Sequence, residues 1–159
     1  MEKEPMTKVG FEALTDELNN LKSVERPATV IALEEARQLG DLKENAEYHA
    51  AKEKLALIDI RLAELGDIIS RAVIVDPSVL THDRVSFGST VKLVDVNTED
   101  LFEYTIVGAY ESNPSNGFIS FNSPLAKQLL GKRIADEAKV NLPSGLREFE
   151  IEDIFYKEF

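Results

Sequence analysis

Along the first half of the chain, apolar residues recur at intervals of three and four. Leu14, Leu18, Leu21, Ala28 and Ile31 keep one stripe of a helix apolar. Thr7, following Pro5, is suited to cap a helix start, so a helix is predicted from about Thr7 to Leu39. Pro27 lies inside it. An interior proline removes a backbone hydrogen bond and costs about 3 kcal/mol, so a kink or short break is expected just before it. Farther on, Leu55, Ile58, Leu62, Leu65, Ile69 and Ala72 form an unbroken coiled-coil seam. Such a seam needs a partner, and the first helix supplies it. Leu39-Gly40 ends that helix with a residue suited to a left-handed cap, and few residues precede the next helical stretch, so the two must run antiparallel. A helix of about 33 residues reaches ~50 Å, with an acidic tip near residues 40–45 at the end far from both termini.

After Asp76 the period changes. Ser89 to Val94, Phe102 to Val107, Phe118 to Phe121, Ala138 to Leu142 and Phe149 to Phe155 alternate β-branched and aromatic residues with polar ones and read as strands. Pro143-Ser144-Gly145 is a turn signal that pairs the last two as a hairpin. Ser123 to Gly131 carries an N-cap serine, a proline at the first helical position and a terminal glycine, the marks of one short helix. The expected fold class is α+β: an antiparallel coiled-coil domain over residues 1–76, and over 77–159 a small antiparallel sheet with one helix. Aromatic residues follow the same division, since only Phe11 and Tyr48 precede Asp76.

Charge does not separate the halves. Residues 1–76 hold 10 basic and 16 acidic side chains and residues 77–159 hold 8 and 13, giving −6 and −5. The total of −11 argues against a free-standing nucleic-acid binder, which gains affinity by neutralising phosphates with clustered lysine and arginine. The absence of cysteine excludes thiol catalysis and thiolate metal sites and suits a reducing cytoplasm. No basic segment followed by an apolar run opens the sequence, and no stretch approaches the ~20 apolar residues of a membrane span, so neither export nor anchoring is expected.

No phosphate loop, dinucleotide fingerprint, nucleophile elbow or paired-histidine motif occurs. His49 and His82 stand in different domains and read as surface or boundary residues. The remaining candidate is Gly40 to Glu53, GDLKENAEYHAAKE, where Asp41, Glu44, Glu47 and Glu53 surround two runs of small residues. Two accounts of Asp41 and Glu44 compete. Their spacing is that of an N-cap with a reciprocal acid three residues later, which the helix dipole also favours. Alternatively, on an exposed turn they offer oxygen ligands to a hard cation. Magnesium commonly takes one or two protein carboxylates and completes its octahedron with water and phosphate oxygens. Two carboxylates alone would bind it weakly, so another molecule would have to bring the other ligands.

The segments PMTKVGFEALTDEL, LKSVERP, GDLKENAEYHAAKE, VSFGSTVKL and NSPLAKQLLGK, in this order and spread over essentially the whole chain, resemble the Gre family of transcript-cleavage factors, nearer its GreA branch than its GreB branch. The resemblance implies a bacterial, cytoplasmic, monomeric elongation factor that is not itself an enzyme. Its coiled coil would enter the secondary channel of RNA polymerase while an FKBP-like second domain docks at the rim. Asp41 and Glu44 match the family's functional tip acids and would share a second Mg²⁺ with polymerase and the extruded 3′ end of a backtracked transcript; no cofactor is expected on the isolated protein. Arg37, Tyr48 and Lys52 flank the tip as candidate RNA contacts, and Asn122, Ser123 and Pro124 match the rim-docking stretch. Each has a plainer reading: solvated helix charges for Arg37 and Lys52, packing against the partner helix for Tyr48, and a helix start for Ser123-Pro124. Two rival functions follow from the same resemblance. One is a channel-binding inhibitor without cleavage stimulation. The other is a peptidyl-prolyl isomerase or chaperone, which would need Phe102, Tyr104, Phe118 and Phe121 to line one pocket.

Overall fold

A computed structural model describes residues 2–159. The chain divides into two compact units, Phe11–Ala72 and a second made of Glu2–Gly10 with Val73–Phe159. The short strand β1 (Glu4–Met6) carries the first residues into the second unit, because it pairs with β2 (Ala72–Ile74). The expected boundary at Asp76, drawn from composition, could not register a pairing between segments so far apart in sequence.

Helix α1 (Lys8–Asn20) begins at Thr7, whose hydroxyl accepts the Gly10 amide at 3.1 Å. Leu21–Glu25 then forms one π-helical turn, closed by the Arg26 amide on the Leu21 carbonyl, before α2 (Arg26–Arg37) continues. Pro27 accounts for this turn: it has no N–H to give, and its ring would crowd the preceding carbonyl in a regular helix. The wide turn adds one residue to the repeat. Continuing the three-and-four spacing from Leu14, Leu18 and Leu21 would lead to residues 25, 28, 32 and 35. The residues that turn inward are instead Thr29, Leu33 and Ala36, each one position later, while Ala28 and Ile31 are exposed. Thr29 is accommodated because its hydroxyl donates to the Glu25 carbonyl at 2.7 Å.

Helix α3 (Ala46–Arg71) returns antiparallel, burying Ile58, Leu65 and Ile68, with Leu55, Leu62 and Ile69 half-buried beside them. Its ion pairs to the first strand of the hairpin are arranged antiparallel. Lys54 reaches Glu25 at 3.6 Å, Arg26 reaches Asp59 at 2.8 Å, and Arg61 grips both oxygens of Glu17 at 2.9 Å. The Arg61 hydrogen bond holds the Glu17 carboxyl below its usual value.

In the second unit a five-stranded sheet runs in the order β5-β4-β3-β7-β6, from β3 (Thr90–Asp95), β4 (Leu101–Val107), β5 (Phe118–Ser120), β6 (Glu137–Leu142) and β7 (Gly145–Phe155). Four strands are antiparallel neighbours, but β5 lies parallel to β4, pairing Thr105 with Phe118 and Val107 with Ser120. The sheet is therefore mixed and not wholly antiparallel as expected. Residues 108–117 make two 3₁₀ turns that carry the chain back alongside β4 before β5 begins. Helix α4 (Pro124–Leu129) covers one face, where Ala126 and Leu129 join Val91, Leu93, Ile106, Phe149 and Ile151 in the core.

Candidate functional site

The turn of the helical hairpin is built by backbone necessity first. Helix α2 stops at Arg37, the Leu39 amide closes on the Ala36 carbonyl at 3.1 Å, and Gly40 takes φ +128°, a value that disfavours any residue with a Cβ. Asp41 follows, and its Oδ1 accepts the Lys43 amide at 3.0 Å, an Asx turn. Helix α3 starts at Asn45, whose Oδ1 accepts the Tyr48 amide at 3.0 Å and whose Nδ2 donates to the Ala36 carbonyl at 2.6 Å. The His49 Nε2 donates to the Lys43 carbonyl at 3.3 Å and so braces the same loop.

This geometry removes the capping account of the acids. Asp41 does not cap α3, and Glu44 is not a third helical residue; both precede the cap, which is Asn45. Both are exposed, and with Leu39, Asn45, Ala46 and Glu47 they line one open concavity of ≈ 450 Å³. Asp41 gives one lone pair to the turn, and Glu44 makes no hydrogen bond or ion pair among the described residues. The donor set suits a hard cation as a partial coordination sphere: two hard oxygen donors facing water. No three of the described His, Asp or Glu side chains gather to hold a metal.

The flanking candidates are distributed differently. Arg37 ends α2 and pairs with Glu34 at 3.2 Å, Lys52 is exposed on α3, and neither lines the concavity. Tyr48 stands in the first turn of α3, and its half-buried ring meets His49 edge-on at 5.5 Å. Asn122, Ser123 and Pro124 belong to the other unit. There Ser123 caps α4 by accepting the Ala126 amide at 3.3 Å, Asn122 accepts a short hydrogen bond from the Ser120 hydroxyl, and Asn122 and Pro124 are exposed. Asn45 is the functional residue that the sequence pattern left unassigned, while His49 is exposed as expected. The cue for Asn45 was present, since an asparagine directly before a run of helix formers is a helix-start signal in its own right.

One expectation changes and one rival loses its site. His82 is 7% exposed and not a surface residue: it sits at φ +53°, donates from Nε2 to the Pro77 carbonyl at 2.5 Å and meets the Ser89 hydroxyl at 2.7 Å. The four aromatics that an isomerase pocket would need do not converge. Phe102 stacks on Tyr104 and meets Phe149 edge-on, Phe118 meets Phe159, and Phe121 meets Phe87, while Phe102, Tyr104 and Phe121 pack on the core.

Among known proteins, the N-terminal domain of transcription elongation factors matches residues 4–74, and the C-terminal domain of the GreA/GreB transcription elongation factors matches residues 80–156. The transcription elongation factor GreA of Aliarcobacter butzleri is 65% identical over 99% of this chain and 98% of its own length, and that of Nautilia profundicola is 58% identical over the same shares. Among solved structures, GreA factor homolog 1 of Thermus thermophilus is 30% identical, covering 98% of this chain and 99% of its own, at a TM-score of 0.44. With both halves matched in order and relatives aligned nearly end to end, this chain belongs to the GreA/GreB family of transcription elongation factors, nearer to GreA.

Proposed function

We propose that this protein is an elongation factor that stimulates bacterial RNA polymerase to cut the 3′ end of the transcript in backtracked complexes, acting as a monomer through the secondary channel. The observation that carries the reading is the freedom of Asp41 and Glu44: the helix start is capped by Asn45, and both acids line one exposed concavity at the hairpin turn. Their role is to lend oxygen ligands to a Mg²⁺ whose remaining ligands come from polymerase and RNA. That shared ion would activate water and stabilise charge at the scissile phosphodiester. Within the chain, Gly40 allows the reversal that exposes the acids, and the Asx turn fixes the Asp41 carboxylate so that it is ordered before it meets the channel. Arg37, Tyr48 and Lys52, which flank the tip at the end of α2 and along α3, would contact the extruded RNA. Asn122 and Pro124, exposed at the start of α4, would serve docking at the rim.

The test is a stalled, backtracked elongation complex incubated with Mg²⁺ and protein. Asp41→Asn and Glu44→Gln are expected to lose cleavage while retaining polymerase binding, and the isolated protein should leave RNA intact. Unchanged cleavage by both variants would overturn the tip mechanism. Slowed elongation without cleavage by the unmodified protein would identify an inhibitor instead.

A further inference from the structure

One side chain in the wall of that concavity uses both ends of its amide on the two helices. Asn45 spans the base of the turn, with Nδ2 on the Ala36 carbonyl in the last turn of α2 and Oδ1 on the Tyr48 amide in the first turn of α3. Ala36 is buried at 3% exposure, so one anchor is a rigid part of the hairpin. The loop from residue 37 to residue 44 is thereby closed at its neck by a single planar amide. Asparagine is the shortest side chain that carries both a two-proton donor and an acceptor; serine could cap α3 but not span to Ala36, and aspartate could only accept. Glu44 is directly bonded to this residue, whose backbone is fixed at φ −87° and ψ 95°, and Asp41 is held three residues earlier by its own turn.

We infer that Asn45 is the positioning residue for the Asp41 and Glu44 carboxylates, the side chain that makes an exposed turn into an ordered pair of ligands. The inference rests on the function proposed above. Two carboxylates that supply only part of a coordination sphere gain most from being ordered in advance, because the ordering is otherwise subtracted from a weak binding energy. Partners that orient metal ligands directly cost about ten- to a hundredfold in affinity or activity when removed, and Asn45 acts one step further back, through the backbone that carries both acids.

The test compares Asn45→Ser, which keeps a helix-capping acceptor for the Tyr48 amide but cannot reach Ala36, with Asn45→Ala, which loses both bonds. In backtracked complexes saturated with factor, Asn45→Ser is expected to lower the cleavage rate about ten- to a hundredfold and to raise the Mg²⁺ concentration for half-maximal cleavage, with polymerase affinity unchanged. In the free protein, amide hydrogen exchange across residues 38–44 should accelerate about fivefold or more in Asn45→Ser and further in Asn45→Ala. Wild-type rate and Mg²⁺ dependence in Asn45→Ser would overturn the inference. So would a loss that disappears on adding more factor, since that reports weakened folding or docking. Asp41→Asn and Glu44→Gln run alongside: if both cleave normally, the tip mechanism itself fails. In that case the exchange measurement alone decides whether Asn45 holds the turn, and unchanged exchange rejects it.

Discussion

Gly10 is a helical residue whose replacement by alanine should have a sign opposite to the one that helix propensity predicts. It is the third residue of α1, where alanine ordinarily stabilises by about 1 kcal/mol relative to glycine. Here a Cβ would overlap Oε1, Cδ and Cγ of Glu111. That carboxylate is not free to swing away. It accepts the Thr7 amide at 3.1 and 3.2 Å, the Thr7 hydroxyl in a short hydrogen bond, and the Gly108 amide at 2.7 Å, all within the second unit. Hydrogen bonds to a charged group contribute about 1.5–3 kcal/mol each, and water recovers part of that at a half-buried site, so displacing Glu111 is expected to cost about 3 kcal/mol in all. Subtracting the helical gain of about 1 kcal/mol leaves Gly10→Ala destabilising by about 2 kcal/mol. With Glu111→Ala already present, the obstruction is gone, and Gly10→Ala should stabilise by up to about 1 kcal/mol. The coupling between the two sites is then about 3 kcal/mol, well beyond the few tenths seen for independent sites. Urea unfolding followed by near-ultraviolet circular dichroism reports mainly the second unit, which holds Tyr104, Tyr110 and Tyr156. Stabilisation by Gly10→Ala in the unmodified background, or additivity of the two changes, would refute the reasoning.

Acid unfolding of the second unit should depend on Asp95. The Arg147 guanidinium, at 2.8 Å, and then the Asn97 and Thr98 amides hold its carboxyl below the ordinary 3.8. A depressed carboxyl contributes stability that is present above its unfolded value and lost as pH falls through the lower folded value. Asp95→Asn should therefore flatten the fall in urea midpoint below pH 3.8, and an unchanged acid limb would remove Asp95 as its source. His82→Ala deletes two buried hydrogen bonds and a ring stacked on Tyr156 and should destabilise the second unit by about 2–4 kcal/mol in the same urea assay; a loss within 0.5 kcal/mol, roughly the range of surface changes, contradicts a structural role.

The coiled-coil seam of α3 was legible because its periodicity is unbroken, although near its end Ile68 is buried and the seam residue Ile69 only half-buried. The partner seam was legible only up to Leu21. Beyond it, the π turn ahead of Pro27 advances the inward face by one residue, so a correct expectation of irregularity still yields the wrong buried set. A kink can be read from a proline, whereas its phase depends on how many residues the wide turn absorbs. The parallel pairing of β5 was hidden for a related reason: the strands themselves were visible, but their direction is decided by the path of residues 108–117. His82 was misplaced because its burial comes from Pro77 and Ser89 closing over it, contacts that no local pattern encodes. The placing of β1 with the second unit likewise depends on a partner more than sixty residues away.

The tip raises a different difficulty, one of competing roles for the same residues. Asp41 and Glu44 have the spacing of a capping pair, and acids are common at helix starts for reasons unconnected with chemistry. A carboxylate engaged by helix amides has fewer lone pairs for a metal, so the structural and functional accounts exclude each other in part. The helix start is four residues later than that spacing suggests, with Asn45 supplying the cap and Asp41 closing only a local turn. The capping duty is thereby moved to a neutral side chain, which adds no charge to the turn. The two acids are left with their oxygens toward solvent, in a segment whose charges from residue 40 to residue 53 are four carboxylates against two lysines. An acidic turn freed in this way is suited to a cation presented by another molecule, and the neutral amide at its base is the residue on which, in the inference drawn above, that suitability depends.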